Sequence, residues 1–487
     1  LPRGAAQWAV AAAVWLSLVA PAWGQDSPVP SKVERKNLAP VSPDTLRVKL
    51  PKPVEATLST GLRILIVEDH RLPHVLAEFH IRGAGSLFDP PHLSGLASAT
   101  AQMLREGTAK LNSRGIAEEL DRLGASVGGG SGSGSVETVF SASGLSENFE
   151  QWFALATEIL LRPSFPAAEL ERLKERAKVQ LRQQRASAGF LAGERFNRAV
   201  YGSHPAAVVS ATLESITALT PERLAEWHRD RYLPADSILA FAGDVYPAEL
   251  LPKLEKLLAG GQAPRERVKL PPNPTPVSGR NVYLVDRPGS VQTTLTLGNI
   301  AIDRRSEDFV PMVVMNHLLG GGPASRLFLN LREEKGYTYG AYSGFTAVEY
   351  PGPWSAGADV RTEVTEGAIT EFLNEIRRIR DEKVSRGELA ATKRSVTANF
   401  ALALEQPARV LGFALTRKFY NLPEDYWDTY PAKIEAVTAE EVQRVARKYL
   451  NPEAMQIVAV GDGRKLKPIL EKFGAVEIFD TSGKRVS

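Results

Sequence analysis

The chain has no cysteine among its 487 residues. That excludes disulfides, thiolate metal sites, a cysteine nucleophile and a lipid-modified cysteine anchor. It carries little net charge, +3 at pH 7, so no bias toward nucleic acid or a membrane surface follows. Beyond the N-terminus no apolar run approaches the roughly 20 residues that a membrane span needs. No serine, histidine and carboxylate fall into a pattern that marks an independent hydrolase, so hydrolysis by a site of that kind has no support.

What is present begins with an export pattern. Arg3 gives a short positive region, residues 8–19 an apolar stretch, and Ala22-Trp23-Gly24 the small residues that a signal peptidase reads. Residues 1–24 are therefore expected to be a signal peptide cut before Gln25, leaving a soluble, exported chain without a membrane span. Residues 25–53 are polar and proline-rich and read as an extended N-terminal arm. Residues 260–280, with Gly260, Gly261, Pro264, Pro271, Pro272, Pro274 and Pro276, read as a linker. The remainder falls into two domains, 54–259 and 281–487.

The two domains repeat each other. The first contains I-T-A-L-T-P-E-R-L at 216–224, then Tyr232-Leu233, then S-I-L-A-F-A-G-D at 237–244. The second contains I-E-A-V-T-A-E-E-V at 434–442, then Tyr449-Leu450, then M-Q-I-V-A-V-G-D at 455–462. Thr220 before Pro221 predicts a capped helix start, and Thr438 with Glu441 predicts a capping box. Both copies open with strands, expected at 62–67 and 75–82 in one and 282–285 and 293–297 in the other. Long helices are expected at 149–161, 166–186, 363–383 and 385–404. Strands and helices segregate, which argues for α+β layers.

Residues 95–108 read G-L-A-S-A-T-A-Q-M-L-R-E-G-T. Taken alone they describe an amphipathic helix with Leu96, Thr100, Met103 and Leu104 facing a core. Further on, Gly320-Gly321-Gly322-Pro323-Ala324-Ser325-Arg326-Leu327-Phe328 leads into L-R-E-E-K-G-Y-T-Y over 331–339. In this order, with the repeat, these segments resemble the insulinase/pitrilysin/mitochondrial-processing-peptidase family of zinc metallopeptidases. The family's frames are G-L-A-H-x-x-E-H-M-L-x-x-G-T and, later, G-G-G-x-x-S-R-L-F followed by L-R-E-x-x-G-x-x-Y. The resemblance covers nearly the whole mature chain. It implies an α+β fold of two tandem homologous domains, each a mixed or antiparallel sheet with helices packed on one side, together forming a clamshell half.

The resemblance also implies what is missing. Two histidines at i and i+4 of a helix can share a zinc ion, and a glutamate between them can deprotonate the metal-bound water. Those positions fall here on Ser98, Gln102 and Ala101. The third ligand, a glutamate roughly 75–80 residues further on, falls on Gln180 in E-R-L-K-E-R-A-K-V-Q-L at 171–181. Glu171 and Glu175 nearby read as a solvent face. Neutral oxygens are poor zinc ligands, so no cofactor is expected on this chain. His70 and His74 are close in sequence, but Pro73 between them predicts a surface turn rather than a metal site.

The second motif is intact. By resemblance, Arg332 and Tyr339 reach toward a substrate held at a zinc centre. A tyrosine hydroxyl can donate to the oxyanion forming on a scissile carbonyl, and a guanidinium can hold a peptide carbonyl. The plainer alternative is that Arg332 makes a helix-end salt bridge and Tyr339 packs with Tyr337 and Tyr342. Gly320, Gly321 and Gly322 are candidates for substrate contact. The run G-G-G-S-G-S-G-S at 128–135 reads either as an edge left open for backbone pairing or as a flexible loop, the latter slightly favoured.

Some bacterial members of the family are heterodimers that divide these parts between two chains. The resemblance therefore implies a non-zinc subunit in a bacterial periplasm or outside the cell, facing a homologous partner that carries H-x-x-E-H and zinc. Peptides are the expected substrates. Alone, the chain is expected neither to hold zinc stoichiometrically nor to cleave peptides. The alternative is a non-enzymatic scaffold or peptide-binding protein of the same fold.

Overall fold

The computed structural model describes residues 48–232, 237–258 and 268–486. The expected signal peptide, the arm up to residue 47 and the linker segment 259–267 lie outside the described residues. The first sheet contains β1 (Val54–Thr57), β2 (Arg63–Glu68), β3 (His74–Arg82), β4 (Ser126–Gly130), β5 (Glu137–Leu145) and β6 (Ile238–Gly243), in the order β1-β2-β6-β3-β5-β4. Its half of the chain supplies helices α1 (Leu96–Met103), α2 (Ser113–Leu123), α3 (Phe149–Leu161), α4 (Ala167–Ala186), α5 (Ala188–Tyr201), α6 (Leu213–Thr217), α7 (Pro221–Arg231) and α8 (Pro247–Leu258).

The second sheet contains β7 (Asn281–Asp286), β8 (Gln292–Ile302), β9 (Thr338–Ala347), β10 (Pro351–Arg361), β11 (Gln456–Gly461) and β12 (Val476–Phe479), in the order β12-β7-β11-β8-β10-β9. Its half supplies α9 (Phe309–Gly320), α10 (Arg326–Phe328), α11 (Thr365–Asp381), α12 (Arg386–Ala403), α13 (Pro407–Phe419), α14 (Tyr430–Ala436), α15 (Ala439–Tyr449) and α16 (Gly463–Leu470). Five strands correspond one to one in order and direction, so the sequence repeat is a repeat of topology. The copies differ at the sixth. β1 precedes its sheet and runs antiparallel to β2, whereas β12 follows its sheet and runs parallel to β7. The predicted caps form: Thr220 accepts from the Arg223 amide, and Thr438 and Glu441 close a reciprocal capping box.

Each half packs its own helices on one face of its sheet, and the other face is covered by an exchanged helix. In β2, Ile64 and Ile66 join Phe79, Phe241, Trp152 and Phe153 in the first half's core. The intervening Leu65 and Val67 meet Val410, Leu411 and Leu415 of α13, from the second half. In return, α5 of the first half lays Leu191, Phe196 and Val200 on Tyr283, Val285, Val458 and Val460. Strand side chains alternate between faces, so a sheet covered on both sides needs apolar residues at every position of its central strands. β6 meets this throughout, and β11 does so except at Gln456; all six residues of each strand are buried.

Polar contacts reinforce the exchange. Arg82 and Glu349 form a buried ion pair at 2.7 Å. Tyr350 donates to the Gly134 carbonyl at 2.7 Å. The end of the N-terminal arm also docks on the second half. Val48 and Leu50 pack against its core, and the Leu50 amide donates to Asp428 Oδ1 at 3.0 Å. Among the described residues no helix is long and apolar enough to cross a membrane.

Candidate functional site

The frame residues of the first motif build the position of α1. Leu96, Ala97, Met103 and Leu104 are buried in the first core. Asp89 accepts from the Gly95 and Ala97 amides at 2.7 and 2.9 Å and so anchors the helix N-terminus. Burial pushes the Asp89 carboxyl up to about 6, against the pull of those amides. At the C-terminal end, Thr108 donates to Glu158 at 3.0 Å and accepts from the Lys110 and Leu111 amides.

On this helix Ser98 is half-buried, Gln102 is exposed, and the Gln102 amide donates to Ser98 Oγ at 3.1 Å. Ala101 is buried. Gln180 is exposed on α4, where Glu171 and Glu175 are engaged by Lys174 and Lys178, each at 2.7 Å. These four positions offer a hydroxyl, two amides and a methyl group. Zinc takes imidazole, thiolate or carboxylate ligands, so this donor set does not fit it. Among the described residues no group of three or more His, Asp or Glu is placed to hold a metal ion. His70 lies in a turn, with Nδ1 2.7 Å from Asp244 and its ring stacked on Tyr246 at 4.3 Å; the Asp244 contact raises its pKa. His74 opens β3.

The glycine run corrects the loop reading. Residues up to Gly130 form β4, the edge strand paired with β5. The turn that follows is held by the bond from the Ser86 amide to Ser131 Oγ at 2.8 Å, by Ser135 N to Gly132 O at 3.1 Å, and by Tyr350. Gly129 faces α1 so closely that a Cβ there would lie 2.9 Å from the Ala101 carbonyl oxygen, whereas at Gly128 and Gly130 a Cβ would meet open space. The helix and the edge strand touch backbone to backbone where the family frame places its catalytic base.

The corresponding edge in the second half is β9, which carries Tyr339. Pairing with β10 runs Ala341 to Ala358 and then Thr338 to Val360, so Tyr339 and Gly340 together oppose Asp359. This is a β-bulge, a device that re-aims side chains. Tyr339 is 91% exposed and makes no hydrogen bond among the described residues. It does not pack with Tyr337 and Tyr342. Arg332 sits in a π-helical turn, Leu329–Glu334, which ends at Gly336 with φ 62° before the chain enters β9. Single π-helical turns are rare and recur at functional sites. The Arg332 guanidinium lies 4.8 Å over the Phe328 ring and 3.5 Å from Glu333. Gly320 explains itself by packing, since a Cβ there would fall 2.4 Å from the Ser343 amide nitrogen of β9. Gly321 is crowded by His317, and Gly322 is open.

Three supporting features escape a reading of the sequence. Phe328 is buried, has the Arg332 guanidinium over its ring and meets the Tyr342 ring at 5.6 Å. Asn330 ties the turn to α11 through Glu371 and Glu375, both at 2.9 Å. Arg326 holds Glu388 of α12 in a two-pronged pair at 2.7 and 2.9 Å. The one signal available was the helical spacing of Phe328 and Arg332.

Two tandem α+β halves, each a mixed six-stranded sheet with helices and each lending a helix to the other, define the class of fold. Residues 63–205 match the model of the insulinase family, peptidase family M16, and residues 218–396 match that of the peptidase M16 inactive domain. The chain belongs to the M16 peptidase family. A Bacillus subtilis protein named uncharacterized zinc protease YmxG is 23% identical over 80% of this chain and 94% of its own length. A Helicobacter pylori protein named non-peptidase homolog YmxG is 22% identical over 83% and 93%. The crystal structure of a peptidase M16 inactive domain from Pseudomonas fluorescens has a TM-score of 0.78 at 28% identity, covering 84% of this chain and 98% of that one. The periplasmic protease PqqL from Escherichia coli shares the fold, with a TM-score of 0.71 at 14% identity, over 90% of this chain and 49% of that one.

Proposed function

We propose that this chain is the non-zinc subunit of a two-chain, exported M16 peptidase. A homologous partner supplies zinc and H-x-x-E-H, and this chain supplies Arg332 and Tyr339. The observation that carries the reading is Tyr339, a tyrosine almost fully exposed on a bulged edge strand with no hydrogen-bond partner among the described residues. A solvated aromatic side chain held out by a bulge has little to contribute to this fold; a phenol aimed at a substrate has a role. Its hydroxyl donates to the oxyanion that develops on the scissile carbonyl. The Arg332 guanidinium, its face steadied on Phe328, donates to a neighbouring peptide carbonyl. PqqL is about twice as long as the part of it that this chain matches, which leaves room there for a second unit of this size.

The test is to express this chain with an H-x-x-E-H homologue encoded beside it and assay peptide cleavage by the pair and by each chain alone. Activity confined to the pair supports the reading. Failure of any such homologue to co-purify, or full activity from the zinc chain alone, sinks it. The name of the Helicobacter pylori relative favours a second reading, a non-enzymatic peptide-binding or scaffold protein. That reading gains if the pair forms and Tyr339→Phe leaves its turnover unchanged.

A further inference from the structure

A cavity of about 440 Å³ opens in the second half, beside Phe309, whose ring meets Phe345 of β9 at 5.8 Å. Its walls come from the loop before α9, the start of α9, the segment between α13 and α14, and α14 with α15. Phe309, Val310, Leu422 and Val437 make it largely apolar.

Its polar walls are unusual. Arg304 is only 5% exposed, yet no carboxylate lies within ion-pair distance of it among the described residues. Its guanidinium lies 3.7 Å over Phe309 and 5.2 Å over Tyr426, and Nη1 donates to the Tyr426 hydroxyl at 3.2 Å. Nη2 is buried without a hydrogen-bond partner. Lys433 reaches the same Tyr426 ring at 4.6 Å and likewise has no carboxylate partner. Two cations thus share one aromatic ring with no ion-pair partner among the described residues. Aromatic faces recover part of the desolvation cost of a cation, but a buried charge without an anion remains unfavourable. Of the two acids in the wall, Glu307 is exposed and Glu441 is engaged by the Thr438 amide at 2.9 Å.

We propose that this cavity binds a carboxylate attached to an apolar body, the carboxylate between Arg304 and Lys433 and the body against Val310, Leu422 and Val437. The volume lies in the range of small-ligand sites. Two sources share this chemistry, the free C-terminus of a short apolar peptide and a free acyl chain. The proposal does not depend on the peptidase reading, because binding is measured on this chain alone.

Isothermal titration of the full chain would use acetyl-Val-Leu-Phe with a free C-terminus, the same peptide as its C-terminal amide, and octanoate. The expected result is one site that prefers the free acid to the amide by about tenfold or more, as for a hydrogen bond to a charged group. Lys433→Glu, at an exposed position, weakens the acid by a similar factor without shifting the melting temperature. Arg304→Met removes the preference for acid over amide; if that variant fails to fold, Lys433→Glu decides. Octanoate binding without peptide binding assigns the site to acyl chains. Equal affinity for acid and amide, a Lys433→Glu variant that binds like the parent, or no binding of any probe at millimolar concentration overturns the proposal.

Discussion

β4 and β9 hold the same place in two copies of one topology. Each is the edge strand of its sheet, and each is pressed by the helix that follows the copy's second long strand, α1 or α9. The contact is close in both: a Cβ at Gly129 would lie 2.9 Å from the Ala101 carbonyl oxygen, and one at Gly320 2.4 Å from the Ser343 amide nitrogen. In the first copy a methyl group and a glycine close the gap. In the second, Asn316 of α9 closes it by accepting from Ser343 Oγ and Trp354 Nε1, both at 2.9 Å. The outer faces then diverge. β4 shows Ser126, Gly128 and Gly130 and is nearly bare, whereas β9 projects Tyr339 and Tyr342. One copy offers a backbone edge and the other offers side chains. A duplicated fold can therefore keep its helix–edge junction while its two edges take different work.

The strongest way to break the comparison is to ask whether the copies are separable. Leu411→Ala in α13 empties the far face of the first sheet, and Phe196→Ala in α5 empties that of the second. Each is expected to lower stability by about 2–5 kcal/mol. Because the helices are exchanged, each should shift one unfolding transition of the whole chain, followed by circular dichroism in urea. Two separated transitions, with each variant moving only one, would show independent halves and dissolve the exchange argument.

The next effect concerns β9 alone. In the assembled pair, Tyr339→Phe is expected to reduce kcat by about 10²–10³-fold with KM little changed, the usual loss for one oxyanion donor. Arg332→Ala should raise KM as well, because its contact exists in the bound ground state. The matching change on the other edge, Ser126→Ala, should leave both constants alone. Equal losses from the two edges would contradict the asymmetry.

The charge between the copies gives a smaller effect with a defined pH window. His80 is buried on the outer face of β3, beside Glu78 at 3.4 Å, Glu137 of β5 at 3.3 Å and Phe419 of α13 at 5.5 Å. Arg82, its near neighbour on β3, lies 4.7 Å from the same Phe419 ring and pairs with Glu349. Burial opposes a charge on His80, but Glu137 and Glu78 outweigh it and raise the pKa to about 9. The folded state therefore binds the proton more tightly than the unfolded state. The resulting stability is whole below about pH 6.5, the unfolded value, and is lost as pH rises through about 9. It amounts to roughly 3 kcal/mol. His80→Gln should flatten the stability profile between those values, measured by urea unfolding at intervals of pH.

Much of this architecture was legible in the residues. The strands 62–67 and 282–285 appear as β2 and β7 because central strands are continuously apolar, and the helix 149–161 appears residue for residue as α3. The exchange of α5 and α13 was not legible. An apolar stripe such as Val410, Leu411 and Leu415 is the same whichever sheet it covers. β4 was hidden because glycine has low strand propensity; its pairing is imposed by the alternating residues of β5. Arg332 and Tyr339 could be located from their motif. The exposure of Tyr339 could not, since strict alternation would set it and Tyr342 on opposite faces, and only the bulge brings both outward.

The finest test separates neighbours within β4. Gly129 and Gly128 are adjacent glycines in one strand, and a propensity argument treats them alike. The structure does not. Gly129→Ala places a Cβ 2.9 Å from the Ala101 carbonyl oxygen and 3.4 Å from the Ala101 Cβ. The rigid backbone of α1 would have to move, at an expected cost of about 1–3 kcal/mol. Gly128→Ala meets nothing within 4 Å and should be neutral or stabilising by up to about 1 kcal/mol, through reduced freedom of the unfolded chain. Because a Cβ at position 128 would meet only open space, the same variant also leaves the backbone edge of β4 free to pair. Urea unfolding of both variants reads the difference directly. Equal destabilisation would mean that α1 does not press on β4 as it does here, and that the two edges are not built on one junction.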